Sequence, residues 1–395
     1  MEFVEKRAKE LYVSSSGLSK PANQFGFGFP FLSYSDIFRN YFAPTELTTL
    51  VNSSEKDRKS CSVKRGDVFL TRTSETTDEL GMSCVALKDY PDATFNGFAK
   101  RLRPITDEIV PEYAAYYFRS SFFRAQCMSM ASLITRASLN DSMIHRFKIR
   151  YPKSKKLQAV IGETLMNYDN LIEVNNKRIK VLEQMAENLY KEWFVRFRFP
   201  GHETTEFENG IPKGWLSKTN KRPKNWHYGC VSELGLFIRG KNITSDEMIE
   251  GTIPVISAGL EPSGYHNESN VKGKSITISA SGANAGFMQY NLDDIWAADC
   301  SYMRDNNAFW FVYHSLRFIQ PVIRNLQCGA AQPHVYPKHI NKLCIIIPEQ
   351  KHIVDFCRMV SPYYEEVGKL KAQNNNLIKQ RDLLLPRLMS GKLEV

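Results

Sequence analysis

The sequence predicts an α+β chain in which two globular α/β regions alternate with two long helices that pair as an antiparallel coiled coil. Three observations carry this expectation: four short motifs recur in the same order in both halves, two stretches hold apolar heptads, and each stretch follows a short strand closed by proline. The boundaries fall at 1–152, 153–198, 199–348 and 349–395.

The repeat comes first, because it places every other element. Pro30-Phe31-Leu32-Ser33 returns as Pro254-Val255-Ile256-Ser257, each some way after a glycine, Gly17 or Gly240. Val63 to Thr71 is echoed by Val271 to Ser279, and both read as a basic turn feeding an alternating strand. An aromatic helical segment follows, Tyr113 to Arg124 and Phe309 to Arg324, then the strands Phe147 to Pro152 and Leu343 to Pro348. Equivalent positions lie 224 residues apart at Pro30 and 196 apart at Pro152, so the halves differ by loop insertions and share the order of elements.

A long helix follows each half. In the first, Leu165, Ile172, Ile179, Ala186 and Trp193 hold one seam position, and Ile161, Tyr168, Asn175, Leu182 and Leu189 the other. In the second, Ile353, Val360, Val367, Asn374, Arg381 and Leu388 alternate with Phe356, Tyr363, Leu370, Leu377 and Leu384. Sustained heptads of this kind predict a helix pair, each helix about 60 Å long at about 1.5 Å per residue. Because a whole half-repeat separates them, the helices can pair within the chain, and antiparallel pairing puts the globular halves at opposite ends. Pro362 predicts a kink or restart in the second helix. Asn175, Asn374 and Arg381 interrupt the seams; they either fix register or face solvent or a further chain.

Two joins remain. Phe199-Pro200-Gly201-His202 ends the first helix, and an acidic stretch from Glu203 to Gly214 leads to Trp215, where the second globular half begins. Met1 to Tyr12 alternates acids and bases and reads as a short charged helix.

Composition excludes several classes. The 395 residues include 52 Lys plus Arg against 42 Asp plus Glu, a formal charge of +10, which points to an acidic partner, nucleic acid first. Residues 201–347 hold 14 basic and 13 acidic side chains, so charge alone does not mark the second half. No apolar stretch approaches the roughly 20 residues of a membrane helix, and Met1 to Glu10 lacks the form of a secretory signal, which together predict a cytoplasmic protein. The 8 cysteines include no Cys-x-x-Cys pair and read as small buried hydrophobes instead of a disulfide framework.

Catalytic motifs are missing. No Pro-Pro pair exists to build the Asp/Asn-Pro-Pro-aromatic loop of an amino-methyltransferase. Pro91-Asp92 and Glu349-Gln350-Lys351 resemble nuclease fragments but stand 257 residues apart. Gly273-Lys274-Ser275 lacks the preceding glycine of a phosphate loop, and the spacing of Cys328, His334, His339 and Cys344 matches no common zinc pattern. No metal or cofactor is expected to bind this chain.

Basic and short polar side chains beside matched strands are the residue types that hold phosphates and read base edges. In the first half these are Lys20, Arg65, Arg72, Thr73, Ser74, Arg101, Arg103 and Arg136; in the second, Arg239, Lys241, Lys274, Ser281, Asn284, Arg304 and Gln332. A duplicated chain without visible chemistry fits a recognition protein or, alternatively, a protein-binding scaffold or adaptor, and these residue types make nucleic acid the first partner to consider.

The alternation of globular regions and long helices resembles the specificity subunit of type I restriction-modification systems. The resemblance rests on Gly17 to Ala22 through Pro30 to Asp36, Gly66 to Glu75, Leu182 to Val195, Gly210 to Trp215, and Gln380-Arg-Asp-Leu-Leu-Leu-Pro-Arg-Leu-Met-Ser-Gly-Lys-Leu393. It implies a non-catalytic reader whose two target-recognition domains each take one half of a split, asymmetric site. It further implies that the helices measure the spacer and dock two methyltransferase subunits, joined by restriction/translocase subunits in the full complex. Methylation would fall on adenine N6. S-adenosylmethionine would belong to the methyltransferase, and ATP and Mg²⁺ to the motor-nuclease.

Overall fold

A computed structural model describes residues 2–74, 76, 79–130, 132–133, 137–210, 221–326 and 334–393. Trp215, Cys328, Arg136 and Gln332 therefore lie outside the described residues. The chain forms two compact units, residues 1–174 with 373–395 and residues 175–372, so each unit takes one globular half and a part of each long helix.

In the first unit an antiparallel four-stranded sheet has the order Tyr12–Ser16, Ala99–Pro104, Val68–Thr71, Ser83–Val85. Its central strand Val68–Thr71 is buried throughout because both faces are covered. Val68 and Leu70 pack with Tyr116, Phe118 and Phe123, whereas Phe69 packs with Phe31, Leu32 and Phe95 on the other side. The latter come from a three-stranded sheet in which Phe25–Leu32 pairs antiparallel with Leu50–Val51 and parallel with Thr94–Phe95.

The second unit repeats this plan in the same strand order. Its four-stranded sheet runs Ile238–Arg239, Cys300–Arg304, Ser275–Ser279, Met288–Asn291, and its three-stranded sheet pairs Ile253–Ile256 with Gly264–His266 and Trp296–Ala297. Phe31 faces Thr94 and Leu32 faces Phe95 in parallel register; Val255 faces Trp296 and Ile256 faces Ala297 in the same way. The isolated bridge Val63 to Tyr90 has its counterpart in Val271 to Ile295. Gly17 and Gly240 recur for a steric reason: a Cβ would sit 2.2 Å from the Asn96 carbonyl oxygen at Gly17, and 2.3 Å from that of Ala298 at Gly240.

Two expectations are corrected. Residues 2–12 are not a charged helix: Phe3–Arg7 is a strand antiparallel to Lys148–Pro152, and only Ala8–Leu11 is helical. The alternating charges find partners across the fold, Glu2 with Lys153, Glu5 with Lys148 and Lys6 with Glu108. This strand matches His227–Cys230, which pairs with Cys344–Ile347 in the second unit. The second correction concerns Pro362, which does not restart the C-terminal helix: Gln350–Ser390 is one helix, and Pro362 lies on its exposed side, where water can hydrate the carbonyl the proline leaves unbonded.

The helices pair antiparallel. The central helix spans Lys155–Tyr190 and closes in a π-helical turn, Lys191–Val195. In the first unit its early residues Ile161 and Leu165 share a core with Leu385, Leu388 and Met389 from the end of the C-terminal helix, with Leu384 packed alongside. Tyr168, Ile172 and Leu377 are half-buried. In the second unit Ile179 packs with Val367 and Leu370, flanked by Leu182, and Ala186, Tyr190 and Trp193 join Ile353, Phe356 and Val360, flanked by Leu189 and Tyr363. Asn175 and Asn374 are buried, 1% and 7% exposed.

Candidate nucleic-acid interface

Each four-stranded sheet has two ends, and the candidate residues divide between them. At about 3.3 Å per residue, Lys274 before the strand Ser275–Ser279 and Ser281 after it stand roughly 20 Å apart. They cannot form one site.

One end faces the helices of its own unit. Arg65 donates from Nη2 to Glu112 at 2.7 Å, and the backbone of Glu112 packs against Gly162 of the central helix. Arg103 makes a two-pronged pair with Asp67, 2.7 Å from Nε and 2.6 Å from Nη2, and Asp67 is fully buried. That carboxylate holds the Arg103 guanidinium above its usual pKa, whereas burial and then the neighbouring Arg103 pull Arg101 down. Arg101 is 7% exposed and donates to the Ser62 carbonyl at 2.6 Å. In the second unit Lys274 pairs with Asp305 at 3.2 Å and lies over Trp310, which stacks at 3.5 Å on Tyr364 of the C-terminal helix. Arg304 also belongs to this end, its guanidinium 6.0 Å from the Tyr302 ring centroid. Arg65, Arg101, Arg103 and Lys274 are thus each engaged by a carboxylate or carbonyl within the fold, Arg101 and Arg103 the most enclosed of them.

The opposite end gathers the remaining candidates. In the first unit Arg72, Thr73 and Ser74 follow the central strand; Arg72 accepts from the Leu139 amide at 2.8 Å, and Thr73 pairs with Ser138. Ser74 is nearly buried and donates to Glu79 at 2.9 Å. Lys20, three residues past Gly17, pairs with Asp57 at 3.0 Å. In the second unit Arg239 and Lys241 flank Gly240, and Ser281 and half-buried Asn284 follow the central strand. Ser281 bridges to His334 as Thr73 does to Ser138, and Val335 donates to Ala280 at 2.9 Å as Leu139 does to Arg72. Arg136 and Gln332 precede these bridging residues by the same two positions.

Three side chains at this end escaped sequence reading. Asp299 accepts hydrogen bonds from both Arg239 and Ser281. Trp296 donates from its indole nitrogen to the Lys241 carbonyl at 2.8 Å, with the Lys241 ammonium 5.9 Å from its ring centroid. Phe98 is 56% exposed at the corresponding turn of the first unit. The signal lay in the strand register: the Arg72 amide donates to the Phe98 carbonyl at 3.0 Å and the Ala280 amide to that of Asp299 at 3.2 Å, so Phe98 and Asp299 hold equivalent places.

Among the described residues no group of three or more His, Cys, Asp or Glu could hold a metal ion. Nor is any described helix long and apolar enough to cross a membrane.

Comparison with known proteins places this architecture. A family described as the type I restriction modification DNA specificity domain matches residues 2–184 and 223–380. The chain is 28% identical over 368 residues to the type I restriction enzyme MjaIX specificity subunit of Methanocaldococcus jannaschii, covering 87% of this chain and 82% of that one. It is 21% identical to the HindI specificity subunit of Haemophilus influenzae, over 92% of this chain and 94% of the relative. The crystal structure of a type I restriction-modification S subunit from M. genitalium shares the fold with a TM-score of 0.60 at 14% identity, covering 98% of this chain and 96% of that one. With two matched halves, each joined to its own stretch of the helix pair, the chain belongs to the type I restriction-modification DNA specificity family, whose part in such systems is to recognise DNA sequence.

Proposed function

We propose that this chain reads a split, asymmetric site on double-stranded DNA, one half-site per unit, through the sheet end remote from the helices. The helix pair sets the spacer between half-sites and docks two methyltransferase subunits, with restriction/translocase subunits joining them in the cytoplasm of a bacterium or archaeon. S-adenosylmethionine, ATP and Mg²⁺ bind those partners, and this chain contributes recognition without catalysis.

One observation carries the reading. The two units keep the same strands in the same register while the side chains at the remote sheet end differ, Ser16 against Arg239, Leu18 against Lys241 and Phe98 against Asp299. A constant frame with altered edge groups is what two different half-sites require, since base identity is read by hydrogen bonds and apolar contacts at groove edges.

Mapping N6-methyladenine in a host that carries this chain with its methyltransferase is the test. The expected result is one two-part motif with a fixed unread spacer. A continuous motif, or methyl transfer by the purified chain alone, overturns the proposal. Affinity for the site should also fall steeply with salt, by roughly 0.9 in log–log slope per phosphate contacted. A salt-independent interaction would favour a protein-binding scaffold.

A further inference from the structure

We propose that Arg239 reads a guanine in the half-site taken by residues 175–372, with Asp299 and Ser281 as its positioning residues. This inference rests on the DNA-reading function proposed above and deepens it at one side chain.

Arg239 ends the edge strand Ile238–Arg239 opposite Ser301 and is solvent-exposed. Its Nη2 donates to one oxygen of Asp299, and the other oxygen accepts the Ser281 hydroxyl. One carboxylate thereby ties together the edge strand, the turn before Cys300–Arg304 and the loop after Ser275–Ser279. Among the described residues Asp299 is the hydrogen-bond partner of the guanidinium. Nη2 keeps one proton, which runs parallel to a donor on Nη1 or on Nε, so a two-pronged fork stays open.

Such a fork discriminates by chemistry. Guanine presents two acceptors, O6 and N7, on its major-groove edge, whereas adenine presents one acceptor and one donor. Arginine has donors only, so both prongs are satisfied on guanine alone. An exposed ion pair adds little to stability, but a fork already held in one orientation loses less freedom when it binds. Two residues on, exposed Lys241 lies beside Trp296, placed for a phosphate contact that fixes register without reading sequence.

The first unit lacks this device at the same place. Ser16 stands where Arg239 does, and its hydroxyl accepts from buried Lys100 at 2.9 Å. Exposed Phe98 replaces Asp299 and offers an apolar face suited to a thymine methyl group. The repeat thus supplies an internal control: same frame, different chemistry.

Genome-wide adenine methylation should be mapped in a host carrying the full chain and its methyltransferase partner, for the wild type, Arg239→Gln and Arg239→Lys. The wild type is expected to methylate a two-part motif with a guanine in one part. Both variants should keep the other part and the spacer, and relax discrimination at that single guanine by about tenfold or more. An unchanged motif in both variants, or relaxation in both parts, overturns the role of Arg239 and leaves the DNA-reading function standing. A wild-type complex without a two-part motif overturns that function and this inference with it. If a variant methylates nothing, competition binding of its assembled complex to duplexes bearing each base at the guanine position decides: retained preference for guanine refutes the inference, and equal affinity for the four bases supports it.

Discussion

Arg381 on the C-terminal helix donates a hydrogen bond to Asp169 on the central helix, inside the first unit. The Tyr116 hydroxyl donates to the other Asp169 oxygen at 2.5 Å, and Tyr41 lies 5.0 Å below the guanidinium. An arginine that breaks the heptad is therefore a lock between the helix pair and the globular half it packs on. Arg381→Ala should lower stability by roughly 1–3 kcal/mol, short of the figure for a fully buried pair because both side chains keep some solvent, 13% and 20%. Urea denaturation of the variant checks this. Asp169→Asn, which removes the charge and keeps the acceptor for Tyr116, should cost less.

Arg103 gives a sharper contrast between fold and recognition. Removing it strands the fully buried Asp67 carboxylate, so Arg103→Leu should destabilise the protein by about 3 kcal/mol or more. The methylation motif, measured where the variant is still folded, should not change. A changed motif would show that Arg103 touches DNA.

His314 makes part of the stability depend on pH. It is buried in the second unit with Nε2 at 2.9 Å from the Tyr364 hydroxyl, and burial first, then the charges of Arg317 and Lys191, push it down to about 3. Unfolded, it titrates near the ordinary value of about 6.5. Its contribution is therefore complete above about 6.5 and is lost progressively as pH falls toward 3. Between pH 7 and 5.5 this single group should remove about 1 kcal/mol, above the range where carboxylates titrate. His352 is also shifted down, by burial and then by Lys351, and adds to the same slope. Denaturation at the two pH values should show that slope in the wild type and a shallower one in His314→Phe.

What the sequence reveals depends on whether the cause is local. The heptads and the repeated strands were legible because Ile161, Leu165, Val68 and Ile276 obey a period that burial imposes directly. Met1 to Tyr12 was misread because the partners of its charges, Glu108, Lys148 and Lys153, lie more than 100 residues away, and only strand pairing brings them together. The site was half legible for a similar reason. A basic residue beside a strand looks the same whether it turns inward, as Arg103 does toward Asp67, or stays exposed, as Arg239 does. Only the three-dimensional sheet tells which end of a strand meets a helix, and so separates Lys274 from Ser281.

The helix pair offers the last test. The central helix runs 36 residues and the C-terminal helix 41, and in both units they meet antiparallel, Ile161 with Leu388 in one and Ile179 with Val367 in the other. Inserting one heptad into each helix keeps every seam residue on its face, because seven residues complete about two turns. It adds roughly 10 Å at about 1.5 Å per residue. DNA rises about 3.4 Å per base pair, so the spacer between half-sites should lengthen by about 3 base pairs while both half-sites stay the same. Inserting five residues instead would rotate the seams by about 140° out of register and should abolish recognition without a defined new spacer. Methylome sequencing of the two variants separates the outcomes, and an unchanged spacer in the heptad variant would show that the helices do not measure distance on DNA.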